Sequence, residues 1–250
     1  MIATVALFGL QVAKGPRKDI LDWAAACALS GRSSHVVTLN AEMIVRGAQD
    51  VRFRMLLERA ELLIADGQSI ARSARRIAGE AVEVYPGIEF AFDLVRESRE
   101  RDFSVFLLGS KPGVADAAAA KLRETLPGCR IAGAHHGYFR GFDEKVVERI
   151  NASGAKVLLA GMGSPYQELW LDEWRPKLSA GLVVGVGGSF EVWSGAFRRA
   201  PGWINAAGLE WLYRAMLDPR RIARLEFIPH YLSMERDEAF RAKFDAGGKR

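Results

Sequence analysis

Three kinds of residue in this chain have the type and spacing to do chemistry. The first is a carboxylate at a turn: the apolar run Glu61–Ala65 stops at Asp66–Gly67. An aspartate there could serve as a general base or accept a hydrogen bond from a sugar hydroxyl; it could equally be a turn residue or a helix N-cap. The second is a pair of small polar residues, Thr38 and Asn40, at the end of another apolar run, His35–Leu39. They offer hydrogen bonds to a hydroxylated substrate. The third is a set of glycine-rich loops, Gly109-Ser-Lys-Pro-Gly113, Gly161-Met-Gly-Ser-Pro165 and Gly187–Gly188. Gly161 and Gly163 could let backbone approach a diphosphate, with the following helix start supplying N–H donors. Tight turns alone explain such loops as well. None has the Walker spacing, and no complete dinucleotide fingerprint follows a strand.

What is missing narrows the chemistry further. There is no Asp-x-Asp motif of the kind that holds a divalent ion on a nucleotide diphosphate, and no Gly-x-Ser-x-Gly elbow. His135 and His136 are adjacent but lack companions at ligand spacing, so a structural or surface role is expected for them. If a diphosphate departs, protein cations and helix dipoles must stabilise it, and no metal is required. The arginines near the C-terminus are the obvious source. Arg198, Arg199, Arg214, Arg220, Arg221 and Arg224 face only Glu210 and Asp218 in that stretch. Such a basic surface suits phosphate groups or anionic lipid heads, or is an ordinary solvated helix face.

These residues need elements to place them. The chain reads as repeated strand, short loop, helix. Strands are expected at Ala3–Leu10, His35–Leu39, Glu61–Ala65, Phe103–Leu108, Lys156–Ala160 and Leu182–Val186. Helices are expected from about Ala41, over Ser69–Ile77, over Val114–Thr125 and over Tyr166–Trp174. Short apolar strands alternating with helices imply a parallel sheet covered on both faces. In such a sheet the loops after the strands emerge along one edge, where ligands bind. Thr38, Asn40, Asp66 and the three glycine loops all follow strands, so they converge on that edge. The strand pattern stops near Gly195. We therefore divide the chain into an α/β core, 1–195, and a helical C-terminal appendage, 196–250.

At 250 residues, with 49% hydrophobic and 26% charged residues, the composition is that of a globular protein with a sizeable core. Disordered, collagen-like and coiled-coil classes are excluded. Cys27 and Cys129 show neither metal-ligand nor disulfide spacing, which fits a reducing, cytoplasmic setting. The apolar Met1–Ala13 stretch is shorter than a membrane span and has no basic leader. No later window reaches the roughly 18 apolar residues of a transmembrane helix.

Seven stretches, taken together, resemble the WecG/TagA/CpsF family of bacterial glycosyltransferases. They are Val37-Thr-Leu-Asn-Ala-Glu42, Ala60-Glu-Leu-Leu-Ile-Ala-Asp-Gly67, Phe106-Leu-Leu-Gly-Ser-Lys-Pro-Gly-Val114, Gly137-Tyr-Phe139, Gly161-Met-Gly-Ser-Pro-Tyr-Gln-Glu168, Gly185-Val-Gly-Gly-Ser-Phe190, and Arg199-Ala-Pro201 with Gly208-Leu-Glu-Trp-Leu-Tyr-Arg214. They follow the family's order from about Phe8 to Arg224. The resemblance implies a Rossmann-like core of the GT-E type. It also implies inverting, metal-independent transfer from a UDP-sugar to a polyprenyl-diphosphate-linked saccharide in surface polysaccharide synthesis. The appendage would help to complete the site at the cytoplasmic face of the cell membrane. By the same resemblance Asp66 is the candidate base, and Thr38, Asn40, Gly67 and Gln167 line the sugar pocket. Arg214, Arg221 and Arg224 would approach the diphosphate. Gly109, Gly137, Tyr138, Gly161, Gly163, Gly187, Gly188 and Glu191 would bound the nucleotide. A homo-oligomer is compatible with this reading.

The chain departs from the family pattern in three places. Val82-Glu-Val-Tyr-Pro-Gly87 has no arginine before Gly87, Glu191 stands where an aspartate is usual, and Gln68-Ser69 follows Asp66–Gly67. These bear on donor identity and sugar-pocket detail. A nucleotide-sugar epimerase or oxidoreductase would share the α/β layout, but it calls for an intact fingerprint and a Tyr-x-x-x-Lys pair, and neither appears. A nucleic-acid-binding module would suit a pI near 9.4, yet interleaved basic and aromatic strand residues are lacking.

Overall fold

The computed structural model describes residues 2–197 and 225–247, with side chains described as far as 239. Its centre is an eight-stranded sheet in the order β1-β2-β4-β3-β8-β7-β5-β6. The strands are β1 (Thr4–Leu7), β2 (Leu10–Ala13), β3 (Ser34–Leu39), β4 (Leu62–Ala65), β5 (Val105–Gly109), β6 (Ile131–His135), β7 (Val157–Gly161) and β8 (Leu182–Gly185). Every pairing is parallel except β1 with β2. The expected α/β fold with a parallel sheet covered on both faces is what the chain forms.

Alternation along each strand divides the helices between the two faces. Val36, Ile64, Leu107, Leu159 and Val184 point to one side. There they meet α1 (Arg17–Leu29), α5 (Gly87–Glu97), α6 (Val114–Thr125) and Phe190 of α9 (Ser189–Trp193). Ala115, Ala118 and Ala119 are buried on α6, so this helix can approach the sheet closely. On the other side Val37, Leu39 and Leu63 meet α2 (Ala41–Gln49) and α3 (Val51–Arg59). Further along that side, Phe106, Leu158 and Val183 meet α7 (Asp143–Ala152) and α8 (Tyr166–Trp174). Strands buried on both faces read as near-continuous apolar runs, as β4, β5, β7 and β8 do; β3 is buried throughout but also carries Ser34, His35 and Thr38.

Two expectations need correction. Ala3–Leu10 is not one strand. The chain reverses at Phe8–Gly9, where both residues have positive φ (53° and 72°), and forms the two-residue hairpin between β1 and β2. The turn is hidden in sequence because Phe8 is apolar, like everything around it. The second is β6, absent from the apolar pattern. It is an edge strand with Gly133 and a half-exposed surface, so it needs no apolar alternation. The helix expected over Ser69–Ile77 is present as α4 (Gln68–Ser73), which runs into a π-helical turn at Ala74–Ala78.

Among the described residues the last strand is β8, which ends at Gly185. The last described element, α10 (Phe227–Gly247), packs back onto the core. Tyr231 donates to Ser69 O (3.1 Å), and Ser73 donates to Glu235 Oε1 (2.6 Å). Glu235 is 1% exposed and is also met by Arg72 and Arg76. α10 is therefore fastened to the helix that leaves the Asp66–Gly67 turn.

Candidate active site at the carboxyl edge of the sheet

The connection after β3 passes to the α2 face, whereas that after its neighbour β8 passes to the α9 face. A crevice must open where two adjacent strands send their chains to opposite sides. Asp66 stands at this edge. Its backbone N–H donates to Leu39 O (2.9 Å), which sets it beside Asn40, and its Oδ1 accepts from Gly87 N (3.1 Å) at the start of α5. Asp66 therefore does not cap the helix that follows it. Gly67, with φ of 114°, is the N-cap residue of α4. The carboxylate instead sits at the positive end of α5, half-buried, with Gly67 giving the chain a sharp exit.

Thr38 and Asn40 are close by, and both carry local duties. Thr38 is buried; its hydroxyl donates to Gly185 O (3.1 Å), joining β3 to β8 beyond the ladder. A Cβ on Gly87 would lie 3.0 Å from the Thr38 methyl, so glycine is what lets α5 start on top of this residue. Asn40 is the N-cap of α2, accepting from Met43 N (3.1 Å) through Oδ1, which leaves its amide NH₂ as the group that can serve a ligand.

Gln167 was expected to line the sugar pocket. It is 2% exposed, and both ends of its amide are engaged within the protein. Oε1 accepts from Gly163 N (3.1 Å) and Gly187 N (3.0 Å), while Nε2 donates to Glu168 Oε1 (2.6 Å). The Gly163 and Gly187 amides thus point at Gln167 instead of outward.

The other glycines hold the loops against one another. A Cβ on Gly109 would lie 2.3 Å from Gly161 O, one on Gly161 would lie 2.9 Å from Gly187 O, and one on Gly137 would lie 3.2 Å from Gly109 Cα. Ser110 N donates to Gly161 O (2.8 Å) and Gly137 N to Ser110 O (2.9 Å). The loops after β5, β6, β7 and β8 therefore form one laced edge. The close approach that requires glycine here is protein against protein.

Several polar atoms on this edge have no partner. Ser110 Oγ, Ser164 Oγ, Glu168 Oε2 and Glu191 Oε2 are buried without a hydrogen bond. Ser110 also has φ of 58°, a strained conformation for serine. Buried polar groups are almost always satisfied, so their concentration on three neighbouring loops marks a place built for a polar ligand or ordered water. Glu191 lies beside Gly188, whose Cβ position is 3.5 Å from Oε2. Ser110, Ser164 and Glu168 escape a sequence reading because serine and glutamate after strands look like ordinary turn and helix-start residues.

Tyr138 is 65% exposed and stands beside a cavity of about 300 Å³ lined also by His135, His136, Phe142, Lys145 and Arg149. His135 Nδ1 is 2.8 Å from His136 O, and His136 Nδ1 accepts from Tyr138 N (3.2 Å). Burial pushes the His135 imidazole below its usual range. Among the described residues no three His, Cys, Asp or Glu side chains converge as a metal-ligand group. Arg214, Arg221 and Arg224 lie outside the described residues.

The family model for the glycosyl transferase WecG/TagA/CpsF family matches residues 5–242. Among curated proteins, the chain is 34% identical over 197 residues to an N-acetylglucosaminyldiphosphoundecaprenol N-acetyl-beta-D-mannosaminyltransferase of Staphylococcus aureus strain NCTC 8325 / PS 47. That alignment covers 79% of this chain and 77% of the relative. The proteins of the same name from strains COL and MSSA476 match to the same extent. With a match over nearly its whole length and a crevice where the family's motifs meet, the chain belongs to the WecG/TagA/CpsF family of glycosyl transferases.

Proposed function

We propose that this protein is an inverting glycosyltransferase that moves a hexose-type sugar from a UDP-sugar to a polyprenyl-diphosphate-linked saccharide in bacterial surface polysaccharide synthesis. The observation that carries the reading is Asp66 at the carboxyl edge of the sheet, one strand from the β3–β8 crevice and beside Asn40 and Thr38, along an edge lined with unpartnered polar atoms. The relatives' names add an N-acetylhexosamine as the sugar and an undecaprenyl-diphosphate-linked acceptor as the first candidates.

In this mechanism the acceptor hydroxyl oxygen bonds to the anomeric carbon as the bond from that carbon to the UDP oxygen breaks. UDP leaves with the electron pair, and Asp66 takes the hydroxyl proton. A carboxylate is a weak base, which suffices if proton loss is late, once the anomeric centre is cationic and the hydroxyl more acidic. The proposal needs no metal: protein cations and helix N-termini meet the charge on the departing diphosphate. Among the described residues no helix is long and apolar enough to cross a membrane. A lipid-linked acceptor then calls for peripheral work at the cytoplasmic membrane surface, with the 196–250 segment as the proposed membrane-proximal part.

The test is UDP release across a panel of UDP-sugars, with a short-chain polyprenyl-diphosphate N-acetylglucosamine as acceptor, with and without EDTA. Acceptor-dependent UDP release that survives EDTA is expected. Conversion of the nucleotide sugar without acceptor would favour an epimerase or oxidoreductase instead, and loss of turnover in EDTA would overturn the metal-free mechanism.

A further inference from the structure

We propose that Glu168 is a positioning residue for this site. By holding the Gln167 amide in one orientation it keeps the loops after β7 and β8 clasped together, and with them the nucleotide side of the crevice.

Gly163 N and Gly187 N come from different loops and converge on one Gln167 atom, at 3.1 and 3.0 Å. Two donors meeting on one atom require that atom to be the carbonyl oxygen. The amide NH₂ must then find an acceptor at the other end, and Glu168 Oε1 supplies it at 2.6 Å. With the amide turned round, NH₂ would face two N–H donors and the carbonyl oxygen would face the Glu168 carboxylate, so neither end would be paired. Glu168 thus decides which way Gln167 points.

The surroundings fit a purpose-built clasp. A Cβ on Gly185 would lie 2.6 Å from Gln167 Nε2 and 2.9 Å from Glu168 Oε1, so the end of β8 is bare to admit the pair. Thr38 grips the same residue through its carbonyl. The clasp is therefore continuous with the strand end next to Asp66. Glu168 is 1% exposed, and burial, with Glu42 adding in the same direction, pushes its carboxyl up. A first-turn glutamate on a surface helix normally faces water; this one gives up solvation, with the Gln167 amide and the Ser164 hydroxyl as the side-chain groups that act on its carboxylate. Helix packing alone does not account for that.

The clasp itself stands apart from the reaction, whereas its effect on donor binding rests on the function proposed above, so the test reads both. Glu168→Leu fills the volume but removes the acceptor, and Glu168→Gln keeps an acceptor oxygen. Amide hydrogen exchange at Gly163 and Gly187 is measured by NMR in the full chain, together with UDP affinity and the kinetics of transfer. In Glu168→Leu both amides should exchange about tenfold faster, UDP should bind about tenfold more weakly, and the donor KM should rise to match, with kcat within about twofold. Glu168→Gln should stay within about twofold of the parent in every readout. Unchanged exchange in Glu168→Leu, or an equal loss in Glu168→Gln, overturns the proposal. If the parent protein binds no UDP, the functional reading fails, while the exchange rates still decide the clasp.

Discussion

Replacing Asp66 with asparagine changes one carboxylate oxygen into an NH₂ and keeps the other as a carbonyl. That remaining oxygen can still accept from Gly87 N at the present 3.1 Å, so the start of α5 should hold. The loss in stability should stay within about 1 kcal/mol, the worth of an ordinary hydrogen bond. The loss in catalysis should be far larger. General-base catalysis contributes about 10²–10⁴ in rate, equivalent to roughly 3–5 kcal/mol of barrier. Asp66→Asn should therefore lose two to four orders of magnitude in kcat while UDP affinity changes by less than about threefold. The assay is acceptor-dependent UDP release beside isothermal titration of UDP and thermal unfolding. Turnover within about fivefold of the parent would refute the base assignment. A collapse of UDP binding with little further loss in kcat would make Asp66 a binding group instead. Asp66→Ala separates the two duties, because it also removes the acceptor for Gly87 N.

Three further outcomes follow from the geometry. His35 is buried at the start of β3, away from the site, and desolvation lowers its pKa to about 3 from an ordinary 6.5. The neutral form is the folded one, so its contribution is complete above pH 6.5 and is lost as pH falls toward 3. The slope is about 1.4 kcal/mol per pH unit. Denaturant titrations of the parent and His35→Gln between pH 7 and 4 should show this extra slope only in the parent, and parallel curves would exclude it. Gly109→Ala places a methyl 2.3 Å from Gly161 O on a backbone with φ of 149°. It should cost about 3 kcal/mol or more, seen as a lower Tm or insoluble expression, and an unchanged Tm would contradict the laced edge. Glu235→Ala removes the acceptor of Ser73 and the partner of Arg72 and Arg76. The arginines are half-exposed and rehydrate, so the loss should be about 1–3 kcal/mol, with hydrogen exchange rising first along 227–239. Exchange confined to the parent's pattern would show that α10 is held by its apolar contacts alone.

The amino-acid sequence by itself determined the α/β class and the edge on which the chemistry gathers. Apolar runs buried on both faces, each ended by glycine, asparagine or aspartate, leave a chain little freedom but to build parallel strands whose following loops share one side. Local patterning also made α6 and α8 legible to their ends, because Gly113 and Pro165 mark the residue before each helix. It could not reveal the β1–β2 hairpin, whose turn is as apolar as its strands, nor β6, an edge strand with no apolar alternation to show. The residues' duties were decided only in three dimensions. Gln167 clasps two loops that lie 24 residues apart in sequence between Gly163 and Gly187. Asp66 answers the start of a helix 21 residues onward, where a turn reading would have made it the cap of the helix that begins beside it. Gly109, Gly137 and Gly161 admit neighbouring backbone, a duty that only the assembled edge reveals. Periodicity reports which face a residue occupies; which hydrogen bonds it makes depends on partners brought together by the sheet, and those contacts exist only once β3 and β8 lie side by side.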